Sequence, residues 1–151
     1  MAVVKTSGVD TDFGISGVHN LDMCDALVES RIRGVHLRHE KGASFRADGY
    51  ARSTGRPGVA ITITRPGATN VLAGIGTCYS DSSSVLVTAP LTRPLIDQER
   101  GDLHDIREHA GIFLTLTAWT GRVTSVREIP LTVIEAPGDF AHPDAVPLPR
   151  Y

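Results

Sequence analysis

One acid in this chain stands where proton chemistry would be done. Glu40 lies in Arg38-His39-Glu40-Lys41-Gly42-Ala43, shortly ahead of Ala47-Asp48-Gly49-Tyr50-Ala51-Arg52. The residues before it read as a short strand and those after it as a helix. Its carboxyl group therefore stands at a strand end, where a ligand held nearby would meet it. An acid in a first helical turn also stabilises the helix, because it faces N–H groups that lack partners. On its own residues Glu40 suits that plain role at least as well as a chemical one. Gly14-Ile15-Ser16-Gly17 and Arg65-Pro66-Gly67 are the other segments expected at strand ends. Taken singly, the first is an ordinary tight turn and the second a helix start. His36 with His39, and His104 with His109, invite a metal reading, but neither pair completes a ligand set, so no metal site is expected. Cys24 and Cys78 are far apart within apolar helical patterns and are expected to be buried, reduced thiols.

The elements that must position these groups alternate. Asp12-Phe13-Gly14-Ile15 reads as the end of a strand, and Leu21, Cys24, Leu27 and Val28 recur at helical spacing. Gly34 to Arg38 is a second strand. A helix runs from about Glu40 to Gly55, with Arg56-Pro57-Gly58 beyond it. The β-branched run Val59 to Thr64 predicts a central strand. Pro66 and Gly67 open a helix whose buried stripe is Val71, Leu72, Ile75, Cys78 and Tyr79, and Val85 to Ala89 is a further strand. A βαβαβ series implies an α/β fold: three α/β/α layers around a mainly parallel sheet. In such sheets ligands lie outside the carboxyl ends of the strands, so the three strand-end segments should converge on one crevice. Beyond Pro90, Leu91 to His109 is expected to be a loop with a short helix, Phe113 to Trp119 extended, and Glu128-Ile129-Pro130 the start of a last helix ending near Ala136. Residues 1–136 form the expected domain and 137–151 an irregular proline-rich tail.

The chain has 151 residues, 41% apolar and 21% charged, with a formal net charge of −2. That is ordinary globular composition, and nothing in it steers the protein toward nucleic acid or an anionic membrane surface. No apolar run nears the roughly 20 residues that span a bilayer. Met1 to Asp10 lacks a signal-peptide core, so a cytoplasmic location is expected.

Several motifs in order then carry a resemblance: Gly8-Val9-Asp10, Phe13-Gly14-Ile15-Ser16-Gly17, His39-Glu40, Ala47 to Arg52, Thr54 to Gly58, Pro66-Gly67-Ala68-Thr69-Asn70 and Asp81-Ser82. From roughly Gly8 to Ala136 the chain resembles the N-terminal, pyrimidine-binding domain of thiamine-diphosphate enzymes of the acetolactate synthase and 2-oxoacid decarboxylase group. The resemblance implies that Glu40 contacts N1′ of the cofactor's aminopyrimidine and activates the ring. It implies that Ile15, Ser16 and Gly17 on one side and Pro66, Gly67 and Asn70 on the other form the wall beside it. His104 falls where relatives carry a substrate-facing residue. Asp48 to Arg52 is expected to be structural, with Arg52 pairing an acid. The Gly-Asp-Gly segment and downstream asparagine that hold Mg²⁺ and diphosphate in the family have no match, and Gly101-Asp102-Leu103 is no substitute. A partner chain with a diphosphate-binding (PP) domain, a homodimer mate, or both are therefore expected, as in split decarboxylases of sulfopyruvate and phosphonopyruvate.

Arg65 stands where relatives have glycine, Ser16 and Ser84 where they have proline, Lys41 where glutamine is common, and Arg46 at an apolar helix position. The helix that precedes Gly8 in the family is reduced to a stub, and the tail lacks the closing Pro-Gly-Pro-Val strand. The resemblance thus implies a pyrimidine-domain (α-type) subunit or fragment acting on 2-oxoacids by decarboxylation or carboligation. The alternatives are a non-catalytic interaction or regulatory domain of the same origin, and a truncated remnant. A Rossmann-type domain is disfavoured, since no Gly-x-Gly-x-x-Gly follows the first strand.

Overall fold

The computed structural model describes residues 8–90 and 111–136. The four short strands β1 (Thr11–Gly14), β2 (Arg33–His36), β3 (Gly58–Ile61) and β4 (Val85–Thr88) form one sheet in the order β2-β1-β3-β4. Every neighbouring pair is parallel. The connections are helices: α1 (Leu21–Val28) after a short 3₁₀ turn at Val18–Asn20, α2 (Glu40–Thr54), and α3 (Pro66–Asn70) running into α4 (Leu72–Ser80). A fifth helix, α5, covers Ile129–Glu135. This is the expected α/β/α architecture.

Side-chain alternation along the strands divides the core in two. Val59 and Ile61 face one way, joining Val9 and Ile32 beneath Met23 and Leu27 of α1. Phe13 and Ala60 face the other way, against Ala43 and Ala47 of α2, with Val35, Tyr50, Val85 and Val87 around them. Fully burying an aliphatic side chain such as Ile61 contributes about 1.5–3 kcal/mol, so these two clusters hold the layers together. Helix α2 lies so close to β3 that a Cβ on Gly58 would fall 2.1 Å from the Ala47 carbonyl oxygen. The helix stops at Gly55, whose φ of 68° is left-handed and whose N–H returns to the Ala51 carbonyl at 2.9 Å.

Four expectations need correction. Phe113 to Trp119 is not a strand: residues 111–116 are turns, with the Leu116 N–H donating to the Phe113 carbonyl, so local backbone hydrogen bonds win over the extended form expected from apolar content. Tyr79 is 51% exposed, one position beyond Cys78 and off the buried Gly74, Ile75 and Cys78 face of α4. The helix opened by Pro66 breaks at Val71, whose N–H turns back to the Thr69 carbonyl. Cys24 is only half-buried, and both cysteines are free. The expected loop at Leu91 to His109 and the tail at 137–151 lie outside the described residues. No described helix is long and apolar enough to cross a membrane.

Candidate functional site

Glu40, the Ile15–Gly17 loop and Pro66-Gly67 all follow the carboxyl ends of strands. His39 precedes α2 in extended conformation, and its ring Nδ1 accepts the Lys41 N–H at 3.1 Å. The histidine therefore caps the helix, and the Glu40 carboxylate is left free to turn inward. Glu40 is 6% exposed. Its Oε2 accepts a hydrogen bond from Asn70 Nδ2 at 3.0 Å, so a neutral amide at the end of α3 holds the carboxylate.

Gly67 lies beside it. A Cβ at Gly67 would stand 3.0 Å from Glu40 Oε1 and 2.6 Å from Ile63 Cγ1, so even one methyl group would intrude on both. A Cβ at Gly17 would likewise stand 2.6 Å from Ile63 Cγ2. Ile63 is thus wedged between the two glycine segments and joins Gly17, Gly67 and Glu40 into one continuous surface. Pro66 is half-buried at the first position of α3 and fixes the start of that wall.

The Ile15–Gly17 loop is anchored by a residue the motif reading missed. Asn20 is 1% exposed. Its Nδ2 donates to the carbonyls of Ile15 at 2.8 Å and Thr62 at 3.1 Å, and its Oδ1 accepts the Gly17 N–H at 2.8 Å. One buried amide thereby ties the end of β1 to the end of β3. His19 adds a second tie, its Nδ1 lying 2.8 Å from Thr64 Oγ1. A polar side chain three residues past Gly17, just before an apolar helix, was the available signal for Asn20. Nothing local distinguished it from a plain helix start. Ser16 is exposed, with its Oγ 3.1 Å from His36 Nε2.

Arg65 is buried, 5% exposed, with φ 48° and ψ −85°. A non-glycine residue pays a conformational cost in that left-handed region. The long cation therefore occupies a backbone position suited to glycine, immediately before Pro66 and Gly67.

Of the residues singled out from sequence, Glu40, Gly67 and Asn70 are brought together; Gly17 is linked to them through Ile63, Asn20 holds Gly17 and Ile15, and Ser16 bonds His36 on β2 instead. His104 lies outside the described residues. Among the described residues no group of three or more His, Cys, Asp or Glu could hold a metal ion. Asp48 and Arg52 belong elsewhere. Arg52 Nε bonds both carboxylate oxygens of Asp48 at 2.9 Å and its Nη2 reaches Asp81, locking α2 to the end of α4.

A family model described as "Thiamine pyrophosphate enzyme, N-terminal TPP binding domain" matches residues 1–111. A "Probable 2-ketoarginine decarboxylase" of Pseudomonas aeruginosa is 42% identical over 130 residues, covering 85% of this chain and 23% of that protein. A "Probable acetolactate synthase large subunit" of Methanocaldococcus jannaschii is 35% identical, covering 85% of this chain and 22% of its own length. The "Acetolactate synthase isozyme 2 large subunit" of Escherichia coli is 34% identical, covering 88% and 24%. The chain spans about a quarter of the length of these relatives.

Proposed function

This chain belongs to the thiamine pyrophosphate enzyme family, falling in its N-terminal TPP binding domain, and from that premise we propose that the Glu40 crevice takes the aminopyrimidine of thiamine diphosphate in an enzyme acting on 2-oxoacids. The observation that carries the reading is the freed, buried carboxylate of Glu40. His39 relieves it of helix capping, Asn70 holds one oxygen, and the missing side chain of Gly67 keeps the other clear. A side chain at Gly67 would cover that oxygen, so the glycine is what leaves the carboxylate able to meet a ring.

When bound, the cofactor supplies the carbon nucleophile that adds to a 2-oxoacid carbonyl. Glu40 holds the proton shared with the ring nitrogen. Asn70 fixes the carboxylate's rotamer, so that this proton is offered in one direction. Ile63 and Gly67 give an apolar wall that keeps water from the shared proton, and Ile15, Ser16 and Gly17 extend that wall. Mg²⁺ and the diphosphate are assigned to a PP domain, in a partner subunit, a homodimer mate or a longer chain. His104 is kept as a substrate contact. Decarboxylation is favoured over carboligation, because the decarboxylase relative is matched at higher identity than the synthases.

The test is hydrogen–deuterium exchange at C2 of thiamine diphosphate with a PP domain supplied. Glu40→Gln should slow exchange by about 10²–10⁴-fold, the range of general acid–base contributions. An unchanged rate would end the proposed role. Arg65 supports a second reading, a non-catalytic interaction or regulatory domain: a buried guanidinium at the edge of the wall could obstruct the ring. Calorimetry decides between them. If wild type fails to bind thiamine diphosphate under any pairing while Arg65→Gly binds it, the second reading is correct.

A further inference from the structure

The sheet face under α1 carries an acid that the cofactor reading leaves unused. Alternation along β1 sends Phe13 toward α2 and Asp12 toward α1. Asp12 is 4% exposed. Its Oδ1 is buried and has no hydrogen-bond partner. Its partner on the β2 side of the ladder is Gly34, which has no side chain to cover it; a Cβ there would lie 3.5 Å from that oxygen.

Above this face a cavity of about 480 Å³ opens between β1, β2 and α1. Asp12 lines it, Leu27, Val28, Ile32 and Ile61 give it apolar walls, and His36 is also part of the lining. The volume lies within the range of small-molecule sites, and Ser16, Cys24 and Ser30 join Asp12 and His36 in a mixed polar and apolar lining. An unpaired carboxylate inside such a lining is costly unless a cation meets it.

We propose that this cavity binds a small organic cation, an ammonium or guanidinium head on a short aliphatic stem, with Asp12 as its anchoring carboxylate. The head meets the Asp12 carboxylate on a small turn of that side chain, since Oδ1 is itself sealed from solvent, and the stem lies along Leu27, Val28 and Ile61. Burial pushes the Asp12 carboxyl up to about 6, so its charge is present at neutral pH but poorly solvated. The other titratable groups lining the cavity are His36 on β2, whose ring is held by Ser16, and the Cys24 thiol on α1, raised first by its own burial and then by Asp12. The site shares Ile15 and Ser16 with the loop beside the Glu40 crevice, but it lies on the sheet face opposite α2 and does not depend on Glu40 chemistry.

The experiment is a titration of the isotope-labelled full chain with butylguanidinium, butylammonium and the neutral isostere butylurea, at neutral pH and constant ionic strength, followed by amide chemical shifts. At least one cation should saturate with shifts centred on residues 12–16, 24 and 34–36, about tenfold or more tighter than butylurea. In the isosteric Asp12→Asn variant that preference should disappear. The urea comparison on wild-type protein needs no variant, so a folding defect in Asp12→Asn leaves the result readable. Equal binding of cation and urea, undiminished cation binding by folded Asp12→Asn, shifts centred elsewhere, or no binding by either cation would each overturn the proposal.

Discussion

At the C-terminal end of α2, acids and cations neutralise one another. Asp48 and Asp81 share Arg52, while Asp10 is held by both Tyr50 and Arg56. At the N-terminal end, the partners seen for Glu40 among the described residues are an amide and a glycine wall. The same helix thus carries a fastening at one end and an unspent carboxylate at the other. Both ends fall within the motifs that mark the resemblance, so a motif match alone does not separate structural charge from chemical charge. What separates them is the partner. A guanidinium consumes a carboxylate's charge, and a neutral amide orients the carboxylate without cancelling it.

Glycine substitutions probe this contrast most strongly. Gly58→Ala would set a methyl group 2.1 Å from a backbone oxygen of α2, which cannot move aside without shifting the helix. It should destabilise the fold by about 3 kcal/mol or more in urea unfolding. Gly67→Ala meets the side chains of Ile63 and Glu40, which can give way, so it should cost only about 1 kcal/mol. It should nevertheless weaken thiamine diphosphate binding by about tenfold in calorimetry. Equal stability losses would mean that the crevice is packed as rigidly as the core.

The two buried aspartates should respond to pH with opposite signs. Asp12 titrates in the folded state at about 6, above its ordinary 3.8, because burial disfavours its charge. Its contribution is therefore fully present below about 3.8 and is lost as pH rises through about 6. Asp12→Asn should accordingly be more stable than wild type at alkaline pH, by roughly 2–3 kcal/mol at most, with the gain vanishing near pH 4. Asp48 behaves the other way. Its burial works to raise its titration, but hydrogen bonds from Arg52 and Ser83 outweigh that and hold it below the usual range. Its contribution is present above its unfolded value and is lost as pH falls through the folded one, so Asp48→Asn should be destabilised at neutral pH and converge on wild type in acid. Denaturation of both variants across pH checks the pair, and parallel profiles would break the contrast.

Smaller effects close the series. The Arg52–Asp81 arm is half-exposed on both sides. Asp81→Asn should move the thermal midpoint only slightly, by an amount that shrinks in high salt. The thiols should also differ in alkylation rate. Cys78, buried and pushed up to about 12, should resist iodoacetamide in the native protein, and the half-buried Cys24 should react first.

Much of this architecture was legible because local patterns and the global fold agree. The β-branched run at Val59 to Ile61, the helix stop at Gly55 and the proline start at Pro66 each use chemistry contained in a few neighbouring residues. Glu40 was legible as a strand-end acid for the same reason. Its release from capping was not, since that depends on the rotamer of His39. Ile63 read as one more apolar residue of a strand, and only the folded chain shows it wedged between Gly17 and Gly67, 46 and 4 residues away in sequence. Asn20 was overlooked because two of its contacts reach the ends of different strands. Phe113 to Trp119 misled because apolar content alone does not make a strand, and this run closes turn hydrogen bonds instead.

Residue order by itself determined the alternation of strands and helices, the parallel sheet and the placing of one acid at a strand end, since these follow from periodicity and backbone propensity over short windows. Tertiary structure decided which charges are spent and which are left over. Asp48 meets Arg52 one turn along its own helix, a pairing that local spacing encodes, but whether Glu40 meets Asn70 and Asp12 faces a cavity depends on chain segments brought together by the fold, and no local pattern encodes those meetings.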